Sequence, residues 1–121
     1  VAINKPVSVQ SLVNATANSL SINSAATGTI LTFATGSYNG AKLLIKAKES
    51  TGTNGYTHIV ELLLTTDGTN VVWTPYGSTY TSAAPLMVVS AAHNAPNVQV
   101  KVANQSAQTI VVKHSVTYLT A

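Results

Sequence analysis

The sequence predicts an all-β fold, an antiparallel β-sandwich or jelly-roll-like domain of about eight strands with an extended N-terminal arm. Apolar and polar residues alternate along most of the chain, and β-branched residues dominate the alternating segments. Turn-forming residues separate these segments at intervals of about 8–12 residues, as in sandwiches. The length of 121 residues suits one domain that holds a core of its own.

The strand segments are separated by turns with a recognisable chemistry. Asn39-Gly40, Asn54-Gly55 and Asp67-Gly68 each offer residues that tolerate a positive φ angle, which tight hairpin turns require. The predicted strands are Val7–Val13, Ser19–Asn23, Thr29–Ala34, Ala41–Lys48, Tyr56–Thr66, Thr69–Tyr76, Leu86–Ala92, Asn97–Val102 and Thr109–Leu119.

The first 18 residues differ from the remainder. They are rich in Asn and Ala, and their apolar residues alternate less regularly. We therefore divide the chain into an arm over residues 1–18 and a single sandwich domain over residues 19–121. The arm is expected to be extended, to be held by a sheet edge or by a neighbouring molecule, and to act as a docking element.

The strongest local signal is a hairpin around Asp67-Gly68. A two-residue turn there pairs Leu62 with Trp73 on one face, which predicts that Trp73 is a core residue. The same register pairs Leu63 with Val72 on the other face. Both faces are therefore apolar over much of the hairpin, so that another sheet or another chain must cover the second face.

Pairing of this hairpin with the preceding strand extends its second face into an apolar band of five residues. Lysines lie on the face of that preceding strand, where they either remain solvated or meet an acidic surface of a partner. The predicted partner-contact residues are Leu44, Ile59, Leu63, Val72 and Tyr76, which form the outer band, and the lysines Lys42, Lys46 and Lys48.

Composition limits the classes of partner. Thr, Ser and Asn account for 17, 12 and 10 residues, whereas only nine residues are charged and all six basic residues are lysine. Such a surface loses little hydration on being covered, which favours permanent contact. Without arginine or interleaved aromatics, nucleic-acid binding is disfavoured. The sequence also shows no membrane-spanning helix, signal peptide or cysteine.

Catalytic and metal-binding arrangements are not predicted. A glycosidase pair would require Glu49 with Glu61, but Glu49 is expected at a loop edge as a solvated charge. The spacing of the three histidines matches no ligand motif, and we expect His58 at the core edge and His93 in a loop. The sequence therefore predicts a protein that is not an enzyme and has no cofactor or metal.

Three stretches resemble a small β-sandwich module found in virion structural proteins of tailed phages, notably cyanophages. The similarity runs from Gly28 onward, and none of its motifs is catalytic. The stretches are Ser37–Ile45, then Tyr56–Leu64 with Thr66–Thr69 and Tyr76-Gly77, and finally Asn97–Val102 with Ile110–Lys113.

This resemblance implies a virion protein, assembled in the host cytoplasm, that associates in symmetric copies with capsid or other virion proteins. The expected function is head decoration, in which a cement protein clamps the outside of a phage capsid and stabilises it. The alternative is a receptor- or glycan-binding module of a tail fibre or adhesin. That alternative predicts an open aromatic pocket that stacks on a sugar, drawn from Tyr38, Trp73, Tyr76 and Tyr80.

Overall fold

A computed structural model of the chain describes residues 19–121, together with the backbone of two short strands within the first 18 residues. All the regular structure that it describes is β-strand. The strands are β1 (Ser8–Val9), β2 (Leu12–Thr16), β3 (Leu20–Ile22), β4 (Thr27–Ala34), β5 (Tyr38–Glu49), β6 (Thr57–Thr66), β7 (Val71–Tyr80), β8 (Met87–Asn94), β9 (Asn97–Asn104) and β10 (Ile110–Thr120).

These strands form two antiparallel sheets. The large sheet has the order β1-β2-β10-β5-β6-β7, and β3 also pairs with β10. The small sheet has the order β4-β9-β8. Residues 19–121 thus contribute eight strands in two packed layers, which confirms the predicted all-β sandwich.

One core lies between the two sheets. Alternate residues of β5, β6 and β10 face β4, β8 and β9, as expected when each sheet buries a single face. Burial of these aliphatic side chains stabilises the fold by roughly 1.5–3 kcal/mol each. The largest side chains with almost no exposure are Leu43, Ile45, Leu62, Val98, Val100, Val102, Ile110 and Val112.

The turn between β6 and β7 is longer than predicted. Four residues, 67–70, connect the strands, and Thr66 is the last residue of β6 to pair, opposite Val71. The Asp67 carboxylate accepts hydrogen bonds from the backbone N–H groups of Thr69 and Asn70 at 2.9 and 2.7 Å. These bonds from Asn70 and Thr69 lower the pKa of Asp67 to about 2, because they stabilise the carboxylate.

The longer turn corrects the predicted register by two residues. Trp73 pairs with Leu64 rather than with Leu62, and it packs on the core while remaining partly exposed. The register of β5 with β6 is also offset by two, so that Leu43 pairs with Leu62. A shift of two residues keeps side chains on their predicted faces as far as the pair Leu62–Pro75, beyond which a bulge shifts the pairing of β6 with β7 again. The predicted positive φ of Gly68 is confirmed at 98°.

The N-terminal region contributes to the large sheet. Where the sequence predicted one strand over Val7–Val13, the described backbone forms β1 and β2, which pair with each other. β2 then pairs with β10 over Ser115–Leu119, and β3 pairs with the preceding part of β10. The rest of the predicted arm lies outside the described residues, and its docking role stays a prediction.

Candidate contact surface on the large sheet

The face of the large sheet that points away from the core is called here the outer face. Along β5, β6, β7 and β10 it is not covered by any other strand of the described part of the chain. The five outer-band residues are all exposed there, with exposed fractions between 39% and 65%; they are Leu44, Ile59, Leu63, Val72 and Tyr76. The outward orientation deduced from sequence therefore holds, and Leu119 of β10 adds a sixth exposed apolar residue.

A groove crosses the outer face beside Gly40. Four neighbouring strands present directly opposite residues at this point, namely Leu119 on β10, Gly40 on β5, Thr65 on β6 and Val72 on β7. Because Gly40 has no side chain, the position between Leu119 and Thr65 stays open. The resulting groove has a volume of about 590 Å³, and most of its lining is apolar. Its lining residues are Asn39, Gly40, Ala41, Lys42, Leu63, Leu64, Thr65, Val72, Trp73, Thr74, Thr117 and Leu119.

Lysines concentrate on the same face. Lys42, Lys46 and Lys48 are all exposed and alternate along β5 with the buried residues of that strand. Lys113 of β10, which sequence reasoning missed, lies directly opposite Lys46. Of the three carboxylates in the chain, Glu61 alone lies on the outer face, where it is opposite Leu44.

The other glutamate, Glu49, has a structural environment. Glu49 ends β5 on the core side with only 8% of its surface exposed, so the expectation of a solvated charge was wrong. Its Oε2 accepts a hydrogen bond from Ser106 Oγ at 2.5 Å. Ser106 in turn donates its backbone N–H to the buried Asn104 side chain. Glu49 and Glu61 lie on opposite faces of the large sheet, which holds the two carboxylates apart.

The histidines have separate environments. His58 is buried at the edge of the core, as predicted, and its Nδ1 accepts the backbone N–H of Leu86 at 3.2 Å. Its Nε2 therefore carries the proton of the neutral ring and donates to Ser78 Oγ at 2.7 Å. Desolvation lowers the pKa of His58 and also that of the buried His114.

His93 lies on β8 rather than in a loop, so that expectation was wrong. In the described part of the chain, no three metal-binding side chains come together. No helix in that part is long and apolar enough to span a bilayer.

The aromatic residues do not form one open pocket within residues 19–121. Tyr38 stacks on Tyr118 with a centroid distance of 4.1 Å, and Phe33 packs edge-on against both rings. Tyr80 packs edge-on against His58 at 5.0 Å. Of the four residues proposed to hold a sugar, Trp73 alone lines the groove.

No protein-family model and no curated protein sequence matches the chain. Solved structures similar to it include two phage tailspike proteins. The first is the tailspike protein of Acinetobacter baumannii phage AM24, with a TM-score of 0.60 and 10% identity over 91% of this chain and 26% of that one. The second is tailspike gp49 of A. baumannii bacteriophage Fri1, a capsular polysaccharide depolymerase, with a TM-score of 0.52 and 21% identity over 93% of this chain and 19% of that one.

The chain shares its fold with parts of two phage tailspikes. It spans about a quarter of the length of the first and about a fifth of the second. At these identities the similarity concerns the sandwich alone, and it extends over more than nine tenths of this chain. Neither structure is a cyanophage protein or a capsid decoration protein.

Proposed function

We propose that the chain is a non-catalytic binding module of a phage tail spike or tail fibre, and that it works through the outer face of its large sheet. The observation that carries this proposal is the exposed outer band beside the groove at Gly40. The fold shared with two tailspikes supports placement in a tail adhesin.

The outer face is suited to contact because it lacks the polar side chains of an ordinary solvated sheet. An antiparallel sheet with one face in water usually presents polar residues on that face. Here Leu44, Leu63 and Val72 project from three adjacent strands and each exposes about half of its surface or more. An apolar patch of this kind commonly marks an interaction site. Binding, rather than chemistry, is therefore the activity that this face supports.

The head decoration role expected from sequence has weaker support than the tail alternative. Its contact mechanism would use the same outer face, but the structures that share the fold are tailspikes. The sugar-stacking form of the alternative is also weakened, because Tyr38 is stacked on Tyr118 at the core. We therefore propose a tail module that binds through an apolar and basic sheet face.

Location on the virus particle tests this proposal. Antibodies against the purified chain, labelled with gold, should bind particles at the tail, and quantitative mass spectrometry should give no more than some tens of copies per particle. An excess of the purified chain should also slow adsorption of particles to host cells. Labelling of the head with hundreds of copies would replace the tail role with decoration.

A further inference from the structure

We infer that the occupant of the outer face is an acidic protein surface and not a second copy of this chain. This inference names the partner of the proposed contact module, and it therefore rests on the proposed function. Three observations carry it: the arrangement of the lysines, the scarcity of carboxylates in the chain, and the aliphatic character of the outer band.

The lysine arrangement is unfavourable in the uncovered sheet. Lys46 and Lys113 are directly opposite on adjacent strands, where their Cα atoms are roughly 5 Å apart and like charges repel. Lys48 lies two residues further along β5 on the same face, at a spacing of about 7 Å. A covering surface with carboxylates at this position relieves the repulsion and forms charge-assisted hydrogen bonds.

A second copy of the chain cannot supply those carboxylates. Its three acidic residues are Glu49, Glu61 and Asp67. Glu49 is buried, and Asp67 is bound within its own turn to Thr69 and Asn70. Two outer faces placed together would each bring four lysines and one glutamate, so that two surfaces of net charge +3 would meet. The complementary charge must therefore come from outside these 121 residues.

The outer band favours a protein over a polysaccharide. Sugar rings stack best on aromatic faces, whereas five of the six exposed apolar residues on this face are aliphatic, with Tyr76 the exception. Lys42 lies directly opposite Leu63, and Lys46 lies directly opposite Ile59, so a partner would make apolar and charged contacts side by side on this face. The groove beside Gly40 has room for an apolar side chain of the partner, with Leu63 and Leu119 among the residues that line it. The partner surface thus presents an aliphatic side chain to the groove, and Asp or Glu residues flank that side chain.

Photo-crosslinking tests this inference directly. The chain carries p-benzoylphenylalanine at Leu63 or, as a matched control, at Val88, which is an equally exposed aliphatic residue on the small sheet; each exposes 54% of its surface. Each variant is mixed with phage particles that lack the chain and with host cells. The Leu63 probe should give a crosslink to a protein segment containing Asp or Glu, and the Val88 probe should not. Crosslinks from Leu63 to another copy, to polysaccharide or to nothing would overturn the inference.

Charge reversal gives a second readout. Lys46→Glu and Lys113→Glu should each reduce the crosslink yield at least tenfold, whereas Lys101→Glu on β9 of the small sheet should not. Replacing the acidic residue at the crosslinked site with Lys should restore the yield of the Lys46→Glu variant. Equal yields for all three lysine variants would show that charge does not select the partner. Antibody labelling at the head, together with a Leu63 crosslink to an acidic protein, would refute the tail role and leave this inference standing. Antibody labelling at the tail, together with a Leu63 crosslink to another copy of the chain, would refute this inference and leave the tail role standing.

Discussion

Gly68 and Gly36 show how backbone conformation determines the effect of one methyl group. Neither glycine has an atom within 4 Å of the position that a Cβ would take, but only Gly68 has a positive φ. Gly68→Ala should therefore lower the free energy of unfolding by about 1–2 kcal/mol, because an L side chain is strained there. Gly36→Ala should leave it unchanged or raise it slightly. Urea denaturation of both variants measures the difference, and equal losses would contradict the turn geometry.

His58 makes the stability of the sandwich depend on pH. Its Nδ1 accepts a hydrogen bond from Leu86, so protonation of the ring removes an acceptor within a buried site. Burial lowers the folded-state pKa below the ordinary value of 6.5, so the unfolded chain binds protons more readily than the folded chain. Stability should be constant above pH 6.5 and should fall as pH drops from there towards the folded-state pKa. Melting temperatures measured from pH 8 to pH 5 test this expectation.

Substitution of His58 distinguishes its contribution to the loss of stability in acid from the contributions of other titrating groups. His114 has a pKa lowered by the same cause, so it should contribute a loss of the same sign. His58→Gln should reduce stability at pH 8 but should make its decline towards pH 5 shallower. A decline as steep as that of the wild-type chain would exclude His58 as a source of acid sensitivity.

Neighbouring leucines on β6 provide a test at the level of the strand. Leu62 is fully buried and Leu63 exposes 54% of its surface, although the two residues are identical and adjacent. Leu62→Ala should cost about 2–5 kcal/mol through lost burial and a cavity. Leu63→Ala should change the free energy of unfolding by no more than about 0.5 kcal/mol.

For partner binding, the exposed Leu63 should matter more than the buried Leu62. Leu63→Asp should abolish docking while the domain stays folded, because the new charge would lose water without gaining a partner on the acidic surface. Circular dichroism measures whether the Leu63→Asp chain is folded. Docking is measured by whether an excess of the purified variant still slows adsorption of particles to host cells. Unfolding of the free Leu63→Asp chain would mean that the outer face is covered by the chain itself.

The two faces of each strand could be predicted from the sequence because side-chain direction alternates with every residue. That rule survived an error of two positions in the pairing of β5 with β6 and of β6 with β7. For β6 with β7 the error arose because Asp67 forms a turn through Asn70 and not a two-residue loop. A bulge after Glu61, opposite Gly77, then shifts the pairing of β6 with β7 again, and no local pattern marked it.

Contacts between distant segments could not be predicted. Glu49 is buried against Ser106, which lies 57 residues further along the chain. Lys113 and Leu119 belong to the candidate site only because β10 pairs with β5, and nothing in either strand specifies the other as its neighbour. Apolar alternation identifies which residues point together, but the order of strands within a sheet depends on packing of the whole domain.

For the whole domain, the N-terminal region serves as a cover for a sheet edge. β2 pairs with Ser115–Leu119, and β3 pairs with Ile110–Val112 of the same strand. Removing residues 1–18 should leave residues 19–121 folded, because that range contains eight strands from both sheets and the core described between them. It should also expose unpaired backbone groups over much of β10, which invites pairing with another molecule.

Sedimentation velocity over a range of concentrations measures that effect. The shortened chain should associate at concentrations at which the complete chain does not. A variant of the shortened chain with Ser115→Lys should associate less than the shortened chain itself, because a charged side chain on an edge strand opposes pairing. Identical sedimentation of the complete and shortened chains would show that this edge has no tendency to pair.

The position of β10 also determines when the domain can be completed during synthesis. β10 is the last of the described strands in chain order, yet it lies between β2 and β5 in the large sheet. While its residues are still inside the ribosomal exit tunnel, β5, β6 and β7 can pair as successive hairpins, and β1 can pair with β2, but β2 and β3 cannot yet be linked to β5. The emerging chain therefore holds two separate parts of one sheet, each with an open edge, and translation of residues 110–120 supplies the strand that joins them.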